Sequence, residues 1–154
     1  MSRLQDVQDC LSRKRLAFVG VSRSEKDFTR TLFREFVRRG YDPIPVHPEA
    51  GEIEGRRCYA RVQQIDPPVE WALIAVPPKQ AESIVLDCAA GGIPRVWLYR
   101  AVGKGAVSKA AVSYCRAKGI RVVEGHCPYM FWDDAAWFHR LHGLLLKIGG
   151  GWPQ

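Results

Sequence analysis

The chain has no Cys-x-x-Cys pair, no Gly-x-Gly-x-x-Gly fingerprint and no long apolar run. Its five cysteines (Cys10, Cys58, Cys88, Cys115 and Cys127) are odd in number, which argues against a disulfide framework or a zinc ribbon and for reduced thiols. Apolar stretches such as Trp71–Pro78 and Gly143–Leu146 fall short of the ~18 residues a membrane span needs. The polar, acid-containing start Met1-Ser2-Arg3-Leu4-Gln5-Asp6 is neither a signal nor a transit peptide, and the expectation is a cytoplasmic protein. A Gly-x-Ser-x-Gly elbow is missing, and Gly103-Lys104-Gly105 lacks the upstream glycine and following hydroxyl of a phosphate-binding P-loop. Nor is there a zinc finger, an RNP-like strand or a dense basic run beyond Arg13-Lys14-Arg15, so nucleic acid is not the expected partner.

What is present is ordinary for a globular protein. A length of 154 residues, at roughly 150 per domain, implies one domain over 1–154. With 47% hydrophobic and 25% charged residues, a disordered chain is excluded. The net charge is +7, and residues 1–40 hold ten Lys/Arg against five Asp/Glu. That surplus implies an anionic partner without naming it.

Apolar runs alternate with helical periodicity. Leu16–Val21, Pro43–Val46, Trp71–Val76, Val96–Tyr99 and Ile120–Val123 read as buried strands. The prolines in the second predict restricted pairing. Between them, Phe28, Leu32, Phe33, Phe36 and Val37 share a helix face, with Gly40 as cap and Arg30, Arg34 and Arg38 opposite as a solvated face or, alternatively, phosphate contacts. Pro78 opens a helix with Ala81, Ile84, Val85 and Cys88 on its apolar face; another helix covers about 108–118; residues 49–70 read as loop with a short helical turn near 62–65. A last amphipathic helix starts at Asp133 or Asp134 and carries Trp137, Phe138, Leu141, Leu144, Leu145 and Ile148. Its aromatics, with Phe131, Trp132 and Trp152, dock it on the sheet or form a homodimer face. The pattern predicts an α/β, Rossmann-like doubly wound fold: a five-stranded parallel sheet of order 3-2-1-4-5, helices on both faces and an extra C-terminal helix.

Ligands of such sheets bind at the carboxyl ends of the strands, beside a switch point. The first strand ends Gly20-Val21-Ser22-Arg23-Ser24, where a tight turn, hydroxyls and cations (Arg23, Lys26) suit a phosphate. The second ends Val46-His47-Pro48, with Glu49 one step beyond; an acid there could bond ribose hydroxyls, though its place in a turn weakens that reading. Together the strand ends Ala17–Arg23, Gly40–Pro48, Ala75-Val76-Pro77-Pro78 and Glu124-Gly125-His126-Cys127-Pro128 resemble those of small CoA-binding proteins. That family is similar to the N-terminal CoA-binding domain of the succinyl-CoA synthetase alpha subunit, and the resemblance covers about residues 15–132.

The resemblance implies CoA or acyl-CoA as cofactor. It implies Gly20, Ser22, Arg23 and Ser24 as phosphate contacts, and Val46, His47 and Pro48 near the adenosine part. Val76, Pro77, Leu98, Tyr99 and Arg100 are expected along the groove. In two places the chain departs from the family: His47 stands for the usual asparagine, and no lysine follows the second strand among Glu49, Ala50 and Gly51. The expected function is a non-catalytic CoA carrier, sensor or regulatory module, with no catalytic residue and no metal. Alternatives are an NAD(P)-binding protein and a CoA–thiol redox protein using Cys127; for Cys127-Pro128 a turn-shaping role is the blander option. His139 and His142, with His126 or Asp134, could meet a metal, but no dense acid/histidine cluster accompanies them.

Overall fold

Five apolar runs form one parallel sheet in the computed structural model, which describes residues 2–49, 51–101, 105–132 and 153. The strands are β1 (Arg15–Val19), β2 (Asp42–Val46), β3 (Trp71–Ile74), β4 (Arg95–Leu98) and β5 (Arg121–Glu124). Helices α1 (Leu4–Leu11), α2 (Phe28–Arg38), α3 (Pro78–Ala90) and α4 (Lys109–Ala117) cover it. The fold is the predicted doubly wound α/β architecture.

The strand order is 2-1-3-4-5, so β3 lies inside the sheet between β1 and β4 rather than at the edge expected from 3-2-1-4-5. Both strands carry a physical reason for their places. Pro43 and Pro45 cannot donate to a ladder, and β2 occupies the edge of the five-stranded sheet. The Asp42 N–H donates to Lys14 O and the Gly20 N–H to Val46 O, while the carbonyl of buried Pro45 accepts from the Tyr59 N–H. By contrast every residue of β3 is buried, as a strand flanked on both edges and both faces must be.

The period of two sorts the strand side chains onto two faces. Ala17, Val19, Ala72, Ile74, Val96, Leu98 and Val122 face α3 and α4, meeting Ala81, Val85, Cys88, Ala111, Val112 and Cys115. Leu16, Phe18, Trp71, Leu73, Trp97 and Val123 face α1 and α2, meeting Val7, Cys10, Leu32, Phe33 and Phe36. The large aromatics therefore sit on one face. There Phe18 and Phe33 rings lie 5.6 Å apart, and Phe36 meets Trp71 edge-on at 5.9 Å. The buried indoles are satisfied: Trp71 Nε1 donates to Arg13 O and Trp97 Nε1 to Gly125 O.

Three features lie outside the sequence expectation. Helix α1 was unforeseen, although Leu4, Val7 and Leu11 recur at helical spacing. Within the 49–70 loop, Glu52–Ile53 pairs antiparallel with Arg56–Arg57 around Glu54-Gly55, both at positive φ, the signature of a tight primed turn. Arg30 is 7% exposed rather than solvated. The helical turn near 62–65 is present as Val62–Gln64. The predicted C-terminal helix, with its homodimer face, His139 and His142, lies outside the described residues. Among the described residues no helix is long and apolar enough to cross a membrane.

Candidate functional site

The chain leaves β1 to build β2 on one side and then returns to build β3 on the other, so the crossovers diverge between β1 and β3. A crevice opens there at the carboxyl ends of the strands. It is a cleft of about 810 Å³, lined by the loop after β1, the end of β2, the strap 60–62, the end of β3 and one face of α3. That volume suits a cofactor-sized ligand.

Gly20 is the hinge of the cleft. Its φ is +90°, and a Cβ there would stand 2.5 Å from Ala75 O and 2.6 Å from Val76 Cγ1. A side chain would collide with the end of β3 as well as strain the backbone, so only glycine lets the two strand ends approach this closely.

From Gly20 the chain enters a loop braced by polar contacts. The Ser22 N–H donates to Thr29 Oγ1 (2.9 Å), and the Ser24 N–H donates to Ser22 Oγ (3.0 Å). Beneath the loop, Arg30 donates through Nη1 to Ser22 O (3.3 Å) and Arg23 O (3.1 Å). Its Nε and Nη2 bond Glu54 Oε1. Arg30 is therefore a strut between the hairpin turn and the loop. Asp27 caps α2, accepting from the Thr29 N–H and Thr29 Oγ1. The helix start thus already holds a carboxylate of its own. Ser22, Arg23 and Ser24 line the cleft and offer hydroxyl and guanidinium donors.

At the end of β2 the His47 N–H donates to Tyr59 O (2.9 Å). His47 Nδ1 accepts from the Glu49 N–H (3.0 Å). This is the bond an asparagine side chain makes in an Asx-turn, so His47 serves where the resembling family has asparagine. Nδ1 being the acceptor, the proton of neutral His47 sits on Nε2. Glu49 closes the mouth of the cleft with an ion pair to Arg23 at 3.3 Å, both side chains being well exposed. Such a pair is worth about 0–1 kcal/mol and yields readily to a ligand.

The opposite wall comes from residues that sequence reasoning missed. Gln80, Ser83, Ile84 and Asp87 lie on one face of α3, at i, i+3, i+4 and i+7, a spacing visible in the sequence. Ala60, Arg61 and Val62 arrive through a strap held to β2 by the Val46–Tyr59 bridge, for which no local signal exists. Arg61 clasps the strap to α3 through Asp87 (2.5 Å), and Gln63 also donates to Asp87 (3.1 Å). The Arg61 hydrogen bond holds the Asp87 carboxyl below its ordinary range.

Of the residues expected at the site, Gly20, Ser22, Arg23, Ser24, Val46, His47, Pro48, Val76 and Pro77 come together around the cleft. Leu98, Tyr99 and Arg100 do not line it, because with β3 inside the sheet the end of β4 lies one strand further on. Leu98 is fully buried, Tyr99 stacks on Phe28 at 6.3 Å, and the Arg100 guanidinium lies against Gly125. Cys127 is 2% exposed, outside the cleft, and burial pushes its thiol up to about 11. A thiol so protonated is a poor nucleophile, which weighs against the redox alternative. Among the described residues no group of three or more His, Cys, Asp or Glu is placed to hold a metal.

Fold and cleft place the chain in the doubly wound α/β class, with an open crevice at the switch point. The chain belongs to the CoA binding domain family, whose pattern matches residues 14–133. A curated relative, acetate–CoA ligase [ADP-forming] II of Archaeoglobus fulgidus, is 29% identical over 92 residues, covering 58% of this chain and 14% of its own length. The chain thus spans a small part of that enzyme. A solved structure of a hypothetical protein from Pyrococcus horikoshii OT3 shares 26% identity and a TM-score of 0.74 over 80% of this chain and 85% of its own. The dinucleotide-forming acetyl-coenzyme A synthetase 1 of Ca. Korarchaeum cryptofilum shares the fold at 23% identity and a TM-score of 0.64, over 74% of this chain and 26% of its own.

Proposed function

We propose that the cleft binds CoA or an acyl-CoA, and that the chain acts in the cytoplasm as a non-catalytic carrier, sensor or regulatory module. The carrying observation is the loop after β1. Gly20 brings it against β3, Arg30 braces it from below, and Ser22, Arg23 and Ser24 line the cleft around the place a pyrophosphate would take. Val46, Val62, Val76 and Ile84 supply apolar walls for an adenine, with Gln80, Ser83 and Asp87 at its polar edge.

One observation favours a second reading. Glu49 lines the cleft at the end of β2, where NAD-binding folds place an acid against the ribose. Native mass spectrometry of freshly purified protein, followed by calorimetry with CoA, acetyl-CoA, NAD(H) and NADP(H), separates the two. A bound or titratable CoA species supports the proposal; tight NADPH binding without any for CoA esters refutes it.

A further inference from the structure

The cleft carries an acid where a phosphorylated ribose would want a cation. In doubly wound folds the pyrophosphate rests on the first loop and the ribose at the end of the second strand. There an acid accepts from free ribose hydroxyls and a basic residue accommodates a phosphate. In this chain that position is Glu49, three residues past the last of β2, with its side chain 68% exposed on the cleft. Its backbone is pinned by the His47–Glu49 turn and the His47–Tyr59 bond.

The guanidinium groups that follow in sequence are held elsewhere. Arg56 bonds Asp42 at 2.6 Å, Arg57 lies over the Tyr59 ring at 4.7 Å, and Arg61 is clasped by Asp87. The cation paired with Glu49 is Arg23, which also belongs to the loop expected to hold the pyrophosphate. One guanidinium serves both places. A pyrophosphate that draws Arg23 inward leaves Glu49 facing the ribose uncompensated.

We infer that Glu49 sets the ribose specificity of this cleft: it holds the affinity for a 3′-phosphorylated adenosine below that for the same ligand with a free 3′-hydroxyl. This rests on the reading of the cleft as a CoA site. Two charges on a 3′-phosphate facing a carboxylate across a solvated mouth correspond to about a tenfold difference in affinity.

The test is calorimetry of the whole protein with CoA and with 3′-dephospho-CoA, repeated in E49Q and E49K. Both variants alter an exposed side chain, and the wild-type comparison needs no variant. The expected ratio favours dephospho-CoA about tenfold in the wild type, approaches one in E49Q and inverts in E49K. If both ligands bind and the ratio stays within twofold in all three proteins, the CoA site stands and the role of Glu49 is overturned. If neither binds, the CoA reading falls and takes this inference with it.

Discussion

Glu54 sets two effects of opposite sign against each other. It occupies a tight turn at φ +52°, a conformation that costs an L side chain roughly 1–2 kcal/mol. Asparagine tolerates that conformation, so Glu54→Asn should recover about 0.5–1 kcal/mol of it. Against this, Glu54 Oε1 accepts from Arg30 Nε at 2.9 Å and Nη2 at 2.5 Å, and from Arg34 Nε at 2.9 Å. The Arg30 side chain is 8% exposed and Glu54 22%. Breaking a fully buried pair costs about 3–5 kcal/mol, which the partial exposure of Glu54 lowers to about 2–3. The ion pair wins, and Glu54→Asn should destabilise by about 1–2 kcal/mol at pH 7 in urea denaturation. Its hydrogen bonds from Arg34 and Arg30 hold the Glu54 carboxyl below its ordinary value of 4.5. The contribution is therefore complete above about pH 4.5 and lost as pH falls through the lower folded value. The gap between wild type and variant should close in acid. A variant more stable than wild type at pH 7, or a gap unchanged at pH 3, would refute the reasoning.

Other perturbations probe the cleft and the thiols. Gly20→Ala should cost about 2–4 kcal/mol in urea denaturation, because its Cβ meets Ala75 O at 2.5 Å on a left-handed backbone; a loss under about 1 kcal/mol contradicts the close approach. His47→Asn should preserve the turn to the Glu49 N–H, whereas His47→Ala should lose about 0.5–1.5 kcal/mol; equal effects of the two would show that the Nδ1 bond is unimportant. Burial pushes the thiols of Cys127 and Cys115 up to about 11 and that of Cys10 up to about 12. Alkylation at pH 7.5 followed by peptide mapping should therefore mark half-buried Cys58 first, and early labelling of Cys127 would overturn that order.

How far the sequence reaches depends on whether the physics is local. Buried runs such as Leu16–Val19 and Trp71–Ile74 announce strands because a strand covered on both faces must be apolar throughout. Their neighbours are another matter, since Trp71–Ile74 reads alike at an edge or in the interior; the prolines of β2 were the better clue to who takes the edge. The loop after β1 was legible because ligands of such sheets meet strand ends, whereas Val76 and Pro77 followed only from the family resemblance; the expected order would have opened the crevice between β1 and β4. Arg30 was not. Helical spacing puts it across from Leu32 at the edge of the apolar face, and it is the folding of the 22–27 loop and the Glu54 hairpin back over α2 that buries it. The strap Ala60–Val62 reaches the cleft through long-range pairing with β2 and leaves no local trace.

The most direct test of the account is a two-dimensional amide NMR titration of the 15N-labelled protein with CoA. Binding in the cleft predicts the largest shifts at Gly20–Ser24, His47 and Glu49, Arg61 and Val62, and Gln80–Ile84, with β5 and α4 little changed. Absence of shifts at saturating CoA, or shifts centred away from the loop after β1, would contradict it.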